Sequence, residues 1–183
     1  MGNVYLAVRG AALLPAVLRD RLLNAGLSTL QATALRDGDC LNWHPVSGAE
    51  LVEDRIPLVH ECHGAPGVLT RLAEAPRTDD WDAVLRGPGE LVWRAGPLAK
   101  GPGLCHGTAG NALALLQLAK RFGEPVWLER ARAMAMHAAW QMRQQHQLYG
   151  RPRQSLWTGD LGVACVLWAC LTGDDRLPIC DVF

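Results

Sequence analysis

The sequence predicts an all-α domain, and three observations carry that prediction. Apolar residues recur at helical spacing along most of the chain. A turn of the form G-x-x-G returns three times, each time just ahead of an apolar run. No segment alternates apolar and polar residues well enough to mark a strand. The length of 183 residues fits one domain, taken as residues 1–183.

The elements follow in order. Val4 to Leu23 carries Leu6, Val8, Leu13, Leu14, Val17, Leu18, Leu22 and Leu23 at helical period. Leu27 to Leu35 reads as a second, shorter helix that ends near Asp37-Gly38. Residues 38–57 hold Asn42, Pro45, Ser47, Gly48 and Pro57 and read as loop. A helix is expected from Gly67 to Ala75. Another follows Thr78, a fitting N-cap, and runs to about Ala95, with Gly87-Pro88-Gly89 expected to break or kink it. Gly107–Arg121, Pro125–Gln145 and Gly159–Leu171 complete the set, with Pro125 suited to a first helical turn.

Composition excludes several function classes. Eighteen Lys and Arg balance eighteen Asp and Glu, so the chain lacks the basic excess of a nucleic-acid binder. No apolar run reaches the length of about 18 residues that a membrane span needs. Arg9 interrupts the apolar opening, which argues against a secretory signal, and Leu6 stands where a myristoylation motif wants Ser or Thr. Six cysteines could form disulfides, but a chain that is 49% apolar can build a core without staples. The expectation is a cytoplasmic protein with reduced thiols. Seven Trp against two Phe and two Tyr suggest indoles that seal helix packing or line a cavity while their N–H groups find partners.

The three turns are Cys62-His63-Gly64-Ala65-Pro66-Gly67, Cys105-His106-Gly107-Thr108-Ala109-Gly110 and Trp157-Thr158-Gly159-Asp160-Leu161-Gly162. Their spacing of roughly forty to fifty residues indicates a repeat with two elements per unit. Two of them begin Cys-His at the start of a helix, where the positive end of the dipole favours a thiolate. Thiolates and imidazole drawn from adjacent repeats suit tetrahedral Zn²⁺, and three protein ligands would leave a fourth position open. The other reading makes each Cys a small packing residue and each His a satisfied polar group. Cys165, Cys170 and Cys180 read as packing residues, Cys40 as a loop residue without a partner, and His137 and His146 as solvated surface.

The blocks Leu58–Val68 and Gly101–Ala112 resemble the lanthionine synthetase C-like family, as do Ser155–Gly162 and the ending Arg176–Phe183. The resemblance runs from about residue 40 to the end and is weaker before. It implies an α/α toroid of about seven helical hairpins in two rings around a central zinc. Its zinc ligands fall on Cys62, Cys105 and His106. It places His63 near the reacting centre, Lys100 where glutathione-binding members contact the tripeptide, and Arg55 and His60 among pocket residues. The implied chemistry is zinc-assisted addition of a thiol, from a peptide cysteine or glutathione, to dehydroalanine or dehydrobutyrine.

Seven such hairpins would need more than about 280 residues. The expectation is therefore an incomplete toroid of about three hairpins, its carboxyl-terminal part. The upstream repeat that carries the family's proton-transfer histidine is missing, which leaves His63 or His60 as substitutes. Helix faces left bare by absent hairpins would suit a protein partner. A zinc- or glutathione-binding module without catalysis competes with this reading, whereas a glycosidase-like toroid fits poorly, because its rim loops offer Glu61 and Asp160 but no convincing acid pair.

Overall fold

The computed structural model describes residues 2–45 and 58–177. Among them are seven α-helices and one two-stranded hairpin: α1 Gly2–Arg9, α2 Ala16–Thr33, β1 Leu35–Asp37, β2 Cys40–Asn42, α3 Ala65–Leu72, α4 Asp79–Ala95, α5 Thr108–Phe122, α6 Pro125–Tyr149 and α7 Asp160–Thr172. The all-α class stands, since the two strands are only three residues each.

Differences from the expected boundaries have local causes. The helix expected from Val4 to Leu23 is interrupted: α1 ends at Arg9, and Pro15, extended at the N-cap of α2, disfavours helix at Leu14 before it. Asp37-Gly38-Asp39-Cys40 forms a hairpin turn with Gly38 at φ 60°, so the loop expected from residue 38 instead opens with a strand. Residues 46–57 of that expected loop lie outside the described residues.

Helix α4 is capped by Thr78, whose hydroxyl accepts the Trp81 amide at 3.4 Å. It then runs through Gly87-Pro88-Gly89 without ending, although an interior proline costs about 3 kcal/mol. Tertiary packing outweighs that cost. A Cβ on Gly87 would lie 2.5 Å from the Leu41 side chain, and one on Gly89 would lie 2.8 Å from the Trp127 ring, so the two glycines let β2 and α6 press directly onto the helix.

Helices α3, α5 and α7 pack side by side, with α5 in the middle, while α4 and α6 pack against them as a second layer. Helix α5 is buried along nearly its whole length. The result is two packed helical layers. Arg121, 3% exposed, fastens the layers: its guanidinium donates to the carbonyls of Ala73, Ala75 and Pro76, and it pairs with Asp82 at 2.6 Å. Helix α7 is apolar on all sides, and Leu161, Trp168 and Leu171 on it are exposed. Trp43 and Trp127 meet the expectation for buried indoles, donating to the Leu30 carbonyl and to Glu124.

Candidate metal centre

The glycine turns have one shared cause. In each, a Cβ on the first glycine would strike the carbonyl oxygen six residues earlier: Leu58 for Gly64, Gly101 for Gly107, Arg153 for Gly159. The second glycine meets the same obstacle, with Glu61 for Gly67, Leu104 for Gly110 and Leu156 for Gly162. Only hydrogen fits at these positions, so G-x-x-G is a close-approach motif. It folds each turn back tightly and delivers the two preceding residues to the same end of the helix layer.

Backbone hydrogen bonds then link the turns. The Cys62 amide donates to the Cys105 carbonyl at 3.1 Å, and the Cys105 amide donates to the Trp157 carbonyl at 2.7 Å. Equivalent positions of the three turns are thereby held in line. The sulfurs of Cys62 and Cys105 and a ring nitrogen of His106 all lie within 4.8 Å of one another. A tetrahedral ion with bonds of about 2.3 Å to sulfur and 2.0 Å to nitrogen separates its donors by roughly 3.5–3.8 Å. The donor set therefore fits a borderline-soft divalent cation after a small closure.

Electrostatics around the donors are uneven. Burial, hydrogen bonding with Cys62 and the nearby charges of Cys62 and Glu61 push the Cys105 thiol up to about 12. His63 Nδ1 lies 3.2 Å from Cys62 Sγ. His60 forms a two-way backbone bridge with His63, and its ring centroid is 6.1 Å from that of His106. Burial, followed by the positive charge of Lys100 and the adjacent imidazoles of His106 and His63, lowers the His60 pKa.

Lys100 lines a cleft of about 30 Å³ beside His106, together with Gln145, Arg153, Trp157 and Thr158. Cys62, His63, His60, Cys105, His106 and Lys100 thus gather at one end of the helix layer, while Arg55 lies outside the described residues. Cys170 is buried and Cys165 half-buried on α7, in keeping with a packing role, while Cys180 lies outside the described residues. The other expectation for cysteine is corrected at Cys40, which sits in β2, 1% exposed, with its sulfur 3.9 Å from Asp39 Oδ1. His146 is not a lone surface group: its side chain is 37% exposed, but its Nε2 lies 2.6 Å from Asp160 Oδ2.

That contact also removes Asp160 from a glycosidase-like acid pair. Glu61 is removed as well: it is 4% exposed, bonded to Thr70 at 3.3 Å and ion-paired with Arg71. One positioning residue escaped the sequence reading. Asn42 accepts the Ala65 amide at 2.8 Å and donates to the Leu58 carbonyl at 3.3 Å, closing the first turn from β2. Its signal was a polar amide inside the apolar run Cys40-Leu41-Asn42-Trp43.

Helix pairs opened by close-approach glycine turns, with two thiols and an imidazole converging at the turn end, define an α/α repeat protein with a candidate metal centre on its rim. The chain belongs to the lanthionine synthetase C-like family, whose model matches residues 19–182. It is 43% identical over 97 residues to glutathione S-transferase LANCL1 of Danio rerio, covering 51% of this chain and 22% of that protein. It is 36% identical over 136 residues to LanC-like protein GCL1 of Arabidopsis thaliana, covering 68% of this chain and 30% of that protein. The matched segments thus span less than a third of these curated relatives.

Proposed function

We propose that Cys62, Cys105 and His106 hold a zinc ion and that the chain captures a thiol there for addition to a dehydroamino acid. The observation that carries this reading is the convergence of the three donors from two successive turns. Zinc held by two thiolates and one imidazole supplies a Lewis-acidic position that lowers the pKa of an incoming thiol. In the net reaction a carbon–sulfur bond forms at the β-carbon of dehydroalanine or dehydrobutyrine, the carbon–carbon π bond breaks, and a proton is delivered to the α-carbon.

The chain's own groups have defined parts in this reading. His60, whose pKa is lowered by burial and then by the nearby Lys100 charge, is the candidate to accept the thiol proton. His63, beside Cys62 Sγ, is the candidate to deliver a proton to the α-carbon. Lys100 and Arg153, which line the same cleft, are cations suited to the carboxylates of glutathione or of an acidic peptide segment. Arg55 is retained as a substrate-binding candidate on sequence grounds. The name of the Danio rerio relative supports glutathione as the thiol. No described helix is long and apolar enough to cross a membrane, and we assign the reading to the cytoplasm, where thiols stay reduced. The exposed apolar stripe Leu161, Trp168 and Leu171 offers a protein partner a surface.

The test is incubation of the zinc-loaded chain with glutathione and a dehydroalanine peptide, followed by mass spectrometry. A glutathione adduct formed faster than in the enzyme-free control is the expected result. Zinc binding without adduct would favour the non-catalytic module, and loss of all metal binding would end both readings.

A further inference from the structure

Each of the three turns is closed at the same place, the first residue of the helix it opens. In the first, Asn42 bridges Ala65 and Leu58. In the second, the Thr108 amide donates to the Gly101 carbonyl at 3.0 Å, and the Thr108 hydroxyl donates to Gln141 of α6 at 2.6 Å. In the third, the Asp160 amide donates to the Arg153 carbonyl at 2.9 Å. Asp160 Oδ2 meanwhile accepts the Arg153 amide at 2.9 Å and His146 Nε2 at 2.6 Å. All three ties join residues seven apart in sequence, and α6 supplies the outer partner for the second and the third.

The third tie has a feature the others lack. Asp160 Oδ1 is buried and has no hydrogen-bond partner among the described residues. An orphaned buried oxygen is costly even on a carboxylate that keeps 16% of its side chain exposed. The positive end of α7 and the imidazole of His146 are what offset it here. The turn it closes holds no metal-ligand residue, yet its Trp157 carbonyl receives the Cys105 amide, and Cys105 in turn receives the Cys62 amide.

We propose that His146, acting through Asp160, is a positioning residue for the thiol centre: the pair keeps the third turn folded so that Trp157 holds Cys105 in line with Cys62. The shape of the turn does not depend on a metal. Only the consequence for metal affinity rests on the function proposed above.

Amide hydrogen exchange by NMR on the full chain tests it, comparing wild type with His146→Ala, Asp160→Ala and the donor-retaining His146→Gln. His146→Ala should speed exchange of the Cys105 amide about tenfold while the Leu113 amide in the core of α5 keeps its rate, the signature of local opening. His146→Gln should restore most of the protection. Should Asp160→Ala fail to fold, the His146 variants still decide the matter. Unchanged exchange at Cys105, or equal acceleration at Leu113, would overturn the proposal.

A second readout is Co²⁺ affinity followed by thiolate-to-metal absorption, expected to weaken several-fold in His146→Ala. If the wild-type chain shows no such absorption, the metal reading fails while the exchange result still judges the tie. If it shows the absorption and His146→Ala leaves the affinity unchanged, the effect on the thiol centre is overturned.

Discussion

The Cys62 amide donates to the Cys105 carbonyl at 3.1 Å, so two thiols more than forty residues apart in sequence are aligned by main chain before any ion arrives. This alignment depends on no side chain at either position. Replacing a sulfur should therefore remove a donor and leave the turn folded.

Cys62→Ser and Cys105→Ser should each reduce bound zinc from about one ion per chain to near none, since two donors seldom retain the metal against competition. Cys165→Ser, on α7, should leave the content unchanged. Atomic absorption after dialysis against a weak chelator measures this. Full zinc in either single variant would refute the assigned ligand set.

Uptake of the metal should tighten as pH rises. The Cys105 thiol, pushed up to about 12 in the metal-free chain, is protonated at neutral pH and must lose that proton to ligate. Each thiol proton displaced adds about tenfold in apparent affinity per pH unit. Co²⁺ titrations at several pH values, with an indicator dye for released protons, report the slope. A flat profile would contradict protonated donors.

Arg71 and Glu61 should prove unequal. Arg71→Ala strands a carboxylate that is 4% exposed; because Arg71 keeps 25% of its side chain exposed, the cost should fall below the roughly 3–5 kcal/mol of a fully buried pair yet exceed that of Glu61→Gln. Glu61→Gln keeps an acceptor for Thr70 and Arg71 and should cost about 1–2 kcal/mol. Urea unfolding midpoints compare the two, and the reverse order would show that Glu61 carries no buried charge.

Gly110→Ala should destabilise the chain by about 1–3 kcal/mol or more, because the added methyl meets the Leu104 carbonyl oxygen, which is main chain and cannot swing away. Gly162→Ala should behave alike, its methyl meeting the Leu156 carbonyl. Thermal unfolding checks both. A neutral effect would mean that the turn relaxes more easily than its geometry implies.

The glycine turns and the helices they open were readable because their cause is local: two hydrogens in place of side chains, followed by an apolar run. Cys62, Cys105 and His106 were readable as a group only through the repeat, which placed distant residues in register. The hairpin at residues 35–42 was not, since strands of three residues are too short for alternation to register. Passage of α4 through Pro88 was hidden because its cause is tertiary, the close approach of Leu41 and Trp127 to two glycines. His146 read as surface because its partner Asp160 lies on another helix, and nothing in the sequence between them announces the contact.

Arg121 gives the molecule a built-in reporter of its own opening. Trypsin cleaves after arginine, yet this guanidinium is engaged by three carbonyls and a carboxylate inside a helix, so the bond that follows it is shielded for as long as the layers stay together. Cleavage at that single site should then track the population of the globally unfolded chain.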